Sequence, residues 1–76
     1  MDIKELDTVV LESDLSDYEL KKGDIGAVVQ LYSSEAVEVE FVTASGHTQA
    51  LVTLSPTQIR AVGPKDIPAV RELSAA

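Results

Sequence analysis

The chain has 76 residues, a net charge of −7 from 13 acidic and 6 basic side chains, and no cysteine. This length predicts one domain that buries only about 60% of the surface its unfolded form would expose, and the lack of cysteine excludes disulfides, which indicates a reducing cytoplasm. The negative charge repels phosphate backbones, so nucleic-acid binding is disfavoured. The polar, acidic start and the lack of a long apolar run predict neither a signal peptide nor membrane association.

The first predicted elements are a short strand and a long acidic loop. Residues 8–11 are rich in β-branched side chains, which is typical of a strand. Residues 12–22 are mainly polar, and Leu15, Tyr18 and Leu20 within them can anchor the loop to the body. Because most of the acidic residues lie in the first third of the chain, we expect one end of the molecule to carry a negative potential.

A glycine turn begins the second strand. Gly23 suits a backbone conformation closed to other residues, Asp24 can cap the turn, and at least one of Gly23 and Gly26 is expected not to tolerate alanine. Alternation from residue 25 onward predicts that odd-numbered side chains face the core and even-numbered ones face outward. The predicted inward set is Ile25, Ala27, Val29 and Leu31.

Two tight turns predict two hairpins, and both registers place apolar residues on one face. With a loop centred on Ser34, the first hairpin has the pairs Leu31–Val37, Val29–Val39 and Ala27–Phe41. With a loop at residues 44–47, the second hairpin has the pairs Phe41–Ala50, Val39–Val52 and Val37–Leu54. The predicted core therefore includes Val29, Val39, Phe41 and Val52. The outer face carries Glu38, Glu40, Val28, Val42 and Leu51.

The end of the chain predicts a helical turn, a short strand and a tail. Pro56 starts a single turn, residues 60–62 form the last strand, and Gly63 ends it. The tail has apolar residues at intervals of three, which suits either a short helix laid on the body or a frayed end. Five short strands with a one-turn helix before the last predict an all-β, SH3-like barrel at residues 1–62 and a tail at 63–76, with an OB-like barrel as the alternative.

The order of these motifs resembles a known bacterial family. The stretches 5–11, 20–29, 37–42 and 48–62 are similar to those of the family called domain of unknown function 4926, over about residues 3–62. Its members are short proteins described as SH3-like barrels, without established activity or catalytic residues. Their genes often lie beside toxin-like or mobile-element genes, so the resemblance implies an antitoxin or immunity role. The tail lies outside the shared pattern.

No catalytic, cofactor-binding or metal-ligating set is recognisable in the sequence. His47 is the single histidine and falls in a predicted hairpin loop, where an exposed titrating group is expected. Ser45 lies near it, but a hairpin tip supplies no third group to orient a nucleophile and base. The acids of the first loop lack the glycine and terminal glutamate of an EF-hand loop. We therefore expect a protein that is not an enzyme and binds no cofactor or metal.

The expected function is protein interaction through the acidic loop. A long loop on a rigid barrel is a common place for binding residues, and charges there can steer a basic partner. The candidate partner-binding residues are Asp14, Asp17, Tyr18 and Glu19. The alternative is a KOW-like barrel associated with nucleic acid or the ribosome, since the glycine turn resembles that type and Lys21 and Lys22 precede it. A homo-oligomer is also compatible with the sequence. A further candidate contact surface is the outer face of the sheet.

Overall fold

Five antiparallel strands form one sheet in the computed structural model, which describes residues 3–73. The strands are β1 (Thr8–Leu11), β2 (Ile25–Ser33), β3 (Ala36–Val42), β4 (Thr48–Leu54) and β5 (Ile59–Ala61). Their order in the sheet is β4-β3-β2-β1-β5, so β4 and β5 are the edges and the barrel stays open between them. The all-β class, the five strands and the helical turn before the last strand are confirmed.

The core is one cluster of buried apolar side chains. No polar or charged residue among the described ones is buried. Its members come from all five strands and from the loop after β1, with Ile3 and Leu15 packed against them. The buried set is Val9, Leu11, Leu20, Val28, Val37, Val39, Phe41, Ala50, Val52, Leu54 and Ile59.

The register of β2 against β3 differs from the prediction because β2 contains a bulge. Leu31 pairs with Val37 as expected, but Val28 pairs with Val39, and the register shifts between Val28 and Gln30. Val29 is the extra residue. One extra residue reverses the face to which side chains point, so residues 25–28 lie on the opposite face from the predicted one, while Leu31 keeps its predicted partner. The predicted pairs Val29–Val39 and Ala27–Phe41 are therefore wrong.

The bulge also corrects the predicted inward face of β2. Val28, expected on the outer face, is fully buried, whereas Ile25 is exposed, and Ala27 and Val29 are only half-buried. Leu31 lies after the bulge and pairs with the buried Val37, but it is 42% exposed. Gly26 is buried beside β3, and a Cβ there would lie 2.6 Å from Val39 Cγ1 and 2.9 Å from Phe41 Cε1. The residue is glycine because the two strands approach closely at that point.

The β3–β4 hairpin has the predicted register. Val37 pairs with Leu54, Val39 with Val52 and Phe41 with Ala50. Val42 and Leu51 are exposed, as expected for the outer face. The two glutamates of β3 lie there too: Tyr32 donates to Glu38 over 2.9 Å, and Thr48 donates to Glu40 over 2.7 Å.

A capped 3₁₀ turn leads into the last strand. It spans Pro56–Gln58, and the Gln58 side chain accepts a hydrogen bond from the Ser55 N–H while the Ser55 hydroxyl accepts one from the Thr57 N–H. This confirms the predicted single turn. The last strand, expected at residues 60–62, begins one residue earlier, at Ile59.

The described part of the tail, residues 63–73, contains neither helix nor strand. The helical alternative is therefore wrong for these residues, and residues 74–76 lie outside the described part. The division into a barrel at 1–62 and a tail at 63–76 stays a prediction. Although irregular, the tail is tied to the body: Arg60 and Asp66 form a bidentate pair with distances of 2.7 and 2.8 Å.

Candidate functional site

The acidic loop after β1 is folded onto the body. Leu15 and Leu20 form an isolated antiparallel bridge that closes it, and a 3₁₀ turn at Ser16–Tyr18 lies between them. Leu20 is buried and Leu15 is half-buried, so both anchor the loop as predicted. Glu19 has a left-handed φ of 58°, which turns the chain back toward the body.

The structure brings the predicted partner-binding residues together on one exposed loop. Asp14, Asp17 and Glu19 are exposed, and the Tyr18 side chain is 45% exposed rather than folded into the core. Asp14 also has a structural contact, because its Oδ1 accepts a hydrogen bond from the Lys22 N–H over 2.8 Å. The Tyr18 carbonyl accepts one from Gln49 Nε2 over 3.2 Å, which ties the loop to β4.

The turn that follows the loop holds Asp24 in a fixed position. Gly23 has a φ of 97°, a conformation that other residues rarely adopt, so the predicted role of this glycine is confirmed. The N–H of Gly23 donates to the Leu11 carbonyl, and the N–H of Leu11 donates to the Asp24 carbonyl, each over 2.8 Å. Asp24 Oδ2 accepts a further hydrogen bond from the Lys21 N–H. Backbone pairing with β1 therefore orients this carboxylate before anything binds to it.

Asp24 binds the guanidinium of Arg71 from the tail. Arg71 Nε donates to Asp24 Oδ1 over 2.8 Å, one of its terminal nitrogens donates to Asp24 Oδ2, and the same nitrogen donates to the Glu19 carbonyl over 2.9 Å. This bidentate geometry, completed by a carbonyl, is what the planar fork of arginine fits and lysine does not.

The pKa of Asp24 reports the same contact. Partial burial tends to raise the pKa of the carboxyl, but the hydrogen bonds from Arg71 and from the Lys21 N–H outweigh it, so the pKa of Asp24 lies below its ordinary value. The pKa of Arg71 is raised chiefly by its hydrogen bond to Asp24, with smaller contributions from the charges of Asp14 and Glu19. The loop thus forms an anionic site that stabilises a bound cation.

A groove of about 470 Å³ adjoins this arginine site. Its walls are the glycine turn, the end of the β3–β4 hairpin and the tail. Apolar side chains contributed by the body include Leu20, Ile25, Phe41 and Val42, and the tail contributes Ala69 to Leu73. This volume falls within the range of about 300–1,000 Å³ that is common for ligand pockets.

A second arginine–aspartate pair fixes the start of the tail. Besides the bidentate contact with Arg60, Asp66 Oδ2 accepts a hydrogen bond from the Gly63 N–H over 2.6 Å. Arg60 also lies 3.5 Å from Glu12 Oε1. The hydrogen bonds from Arg60 and Gly63 lower the pKa of Asp66 to about 2. The tail is thus attached to the body at two points, Asp66 and Arg71.

Neither member of the arginine site is predicted from the sequence. The sequence predicts Asp24 as a turn cap, which it is, but its carboxylate also accepts hydrogen bonds from Arg71. Arg71 lies 47 positions further along the chain, and no local pattern relates residues at that separation. The one available signal for this contact is that the tail contains a single arginine, while the loop near the start of the chain is strongly acidic.

The other candidate chemical residues lie apart from this site. His47 is exposed in the β3–β4 loop, where the neighbouring Thr43 and Ser45 hydroxyls bond to each other over 2.8 Å. Within residues 3–73, no group of three or more acidic or histidine side chains could hold a metal ion. None of the helical turns in this part of the chain is long and apolar enough to cross a membrane.

Fold and site together define a small all-β protein with an acidic loop that binds a guanidinium. The family described as Domain of unknown function (DUF4926) matches residues 5–61, and the chain belongs to this family. No curated protein and no solved structure matches the chain. The family match includes the acidic loop and Asp24 but ends before Arg71, so the arginine that occupies the site comes from outside the family region.

Proposed function

We propose that this chain is a non-enzymatic protein-interaction module that binds a basic protein partner at its acidic loop. The observation that supports this function most directly is the arginine of the tail on Asp24 and the Glu19 carbonyl. The loop therefore has the geometry to hold a guanidinium supplied by a distant segment. A partner protein can supply the same group.

The surroundings of the arginine site suit a protein surface. Asp14 and Asp17 lie on the same exposed loop, so their charges can steer a basic surface toward it. The half-exposed ring of Tyr18 offers an aromatic contact with a hydrogen-bonding end. Tyrosine and arginine side chains are typical anchors of protein interfaces.

The partner class that we propose is a basic protein in a bacterial cytoplasm, with an antitoxin- or immunity-like role for this chain. The net charge of −7 supports it, because toxins that act on nucleic acids are often basic and an acidic protein can cover their substrate-binding surface. The alternative, a KOW-like association with nucleic acid, depends on Lys21 and Lys22 alone. Retention of RNA in a filter-binding assay at low salt would favour that alternative.

The test begins with capture of partners from the host by the full chain, followed by mass spectrometry and measurement of the association rate. Reversing Asp14 and Asp17 to lysine should slow association at least tenfold and flatten its salt dependence. The control is the reversal of Glu5 and Glu35, two exposed acids outside the loop that change the net charge equally.

The same experiment identifies a different interface if there is one. The outer sheet face still presents Val42 and Leu51, although Val28 is excluded from it by burial. If the loop reversal leaves association unchanged while Leu51→Ser abolishes it, the partner binds the outer face and the loop proposal is wrong, because Leu51 does not line the groove beside Asp24.

A further inference from the structure

We infer that the body's side of the groove beside Asp24 is a binding site for a peptide carrying an arginine two residues before an apolar side chain, and that residues 69–73 of this chain cover it as an internal competitor. This inference rests on the proposed function, because the partner would use the same site. It adds the ligand's chemical class and a mechanism that controls access.

The exposure of the tail side chains shows which of them face the body. Val70 is 99% exposed, whereas its neighbour Arg71 binds Asp24, and Leu73 is only 36% exposed and lines the groove. Arg71 and Leu73 are therefore the two anchors of this segment.

The body provides a complementary surface for each anchor. The guanidinium meets the preoriented Asp24 carboxylate and the Glu19 carbonyl. Next to it, Ile25, Phe41 and Val42 give the groove an apolar wall. Charge complementarity and apolar lining together specify a ligand with a cation and an apolar group at a fixed spacing.

The tail is held on the groove chiefly through Arg71. Residues 69–73 contact the body through the ion pair of Arg71 with Asp24, the hydrogen bond from Arg71 to the Glu19 carbonyl and the partly covered Leu73. The ion pair is partly exposed, so salt screens it. About 470 Å³ of the groove stays open beside the tail, so a larger apolar side chain than leucine has room there. Because the tail is tethered, its effective concentration is on the order of millimolar, and a free peptide must compete with it.

The test uses the full chain and a fluorescently labelled peptide with the sequence of residues 67–73. We expect fluorescence anisotropy to show binding to Arg71→Ala at least tenfold tighter than to the unmodified chain. Lys65→Ala is the matched control, because it removes one positive charge from the same tail without touching the groove, and it should behave like the unmodified chain. Adding Asp24→Asn to Arg71→Ala, or replacing the peptide arginine by glutamine, should abolish binding.

Two results would overturn the inference. One is that the peptide binds Arg71→Ala no more tightly than the unmodified chain, provided that circular dichroism shows both to be folded. The other is that binding to Arg71→Ala persists when Asp24→Asn is added, since the peptide would then use another surface.

Failure of the inference can be distinguished from failure of the proposed function. If a captured partner binds the unmodified chain and Arg71→Ala equally and is still sensitive to the Asp14 and Asp17 reversal, the loop function stands and internal competition is wrong. If the peptide prefers Arg71→Ala but the reversal leaves partner binding unchanged, the groove site stands and the loop function is wrong.

Discussion

Different forces hold the body of this protein together and fix the tail to it. The body is held by a cluster of apolar side chains in which no described polar or charged residue is buried. The tail is irregular and is fixed by two arginine–aspartate pairs, Arg60–Asp66 and Arg71–Asp24, both at least partly exposed. Within one small chain, apolar burial thus maintains the fold, and ion pairs position a segment on its surface.

This difference predicts different responses to solution conditions. Apolar burial is insensitive to the ionisation of carboxylates and is strengthened or little changed by salt, whereas partly exposed ion pairs are screened by salt and lost when the carboxylate is protonated. The tail should therefore leave the body without unfolding it. A segment that competes with a partner for one site must be able to leave that site while the rest of the protein stays folded.

The largest expected effect comes from removing the largest side chain of the core. Phe41 is 2% exposed, and its ring packs beside Gly26 on β2. Phe41→Ala should lower the free energy of unfolding by about 3–5 kcal/mol, a large part of what a domain this size has. Urea denaturation measures it, with Val42→Ala at the neighbouring exposed position as the control, expected within about 0.5 kcal/mol. Equal effects of the two changes would contradict the assigned core face.

The second effect tests the close approach of β2 to β3. Gly26→Ala places a Cβ 2.6 Å from Val39 Cγ1, 2.9 Å from Phe41 Cε1 and 3.0 Å from the Glu40 carbonyl oxygen, so the core side chains of β3 or its backbone must shift. Overpacking of this kind should cost about 1–3 kcal/mol in the free energy of unfolding. Gly63→Ala is the control, because the nearest atom to its Cβ would be 3.5 Å away. A melting temperature as high as that of the control would show that the contact is not close.

A smaller effect on stability is expected at Gly23, where a substitution is disfavoured by backbone strain and not by a steric clash. A Cβ on Gly23 would meet nothing within 4 Å, but its φ of 97° is unfavourable for other residues. Gly23→Ala should therefore cost about 1 kcal/mol, and Gly23→Asn less, since asparagine tolerates left-handed conformations better. If both changes stabilise the protein equally in urea denaturation, the turn does not have this conformation.

Much of the body could be predicted because its patterns are local. The β3–β4 hairpin has strict alternation and a glycine at its tip, and all three predicted pairs occur. The error in β2 arose at Val29, because every side chain from Ile25 to Leu31 except Gly26 and Gln30 is apolar, so nothing in the sequence marks the extra residue. A bulge between two apolar faces has no compositional signal.

The arginine site could be predicted only in part. The acidic loop beside the site is evident in the sequence, and Asp14, Asp17 and Glu19 are exposed as that interpretation expects. The carboxylate bonded to Arg71 is that of Asp24, in the turn after the loop, and the sequence predicts this residue only as a turn cap. The position of Arg71 depends on the path of a segment without regular structure, which has no period from which to infer it.

The last prediction separates the two attachment points of the tail by pH. The pKa of Asp24 is lowered, and that of Asp66 is lowered to about 2. A depressed pKa in the folded state stabilises contacts above the ordinary value of about 3.9 and loses them as pH falls through the folded pKa. As the pH falls below about 4, each carboxylate should be protonated as the pH passes through its own pKa, so Asp24 should release Arg71 independently of the release of Arg60 by Asp66. Heteronuclear NOE values at residues 69–73 should therefore fall independently of those at Asp66. In Arg71→Gln the pKa of Asp24 should rise while that of Asp66 stays the same, and simultaneous release of both points would contradict independent attachment.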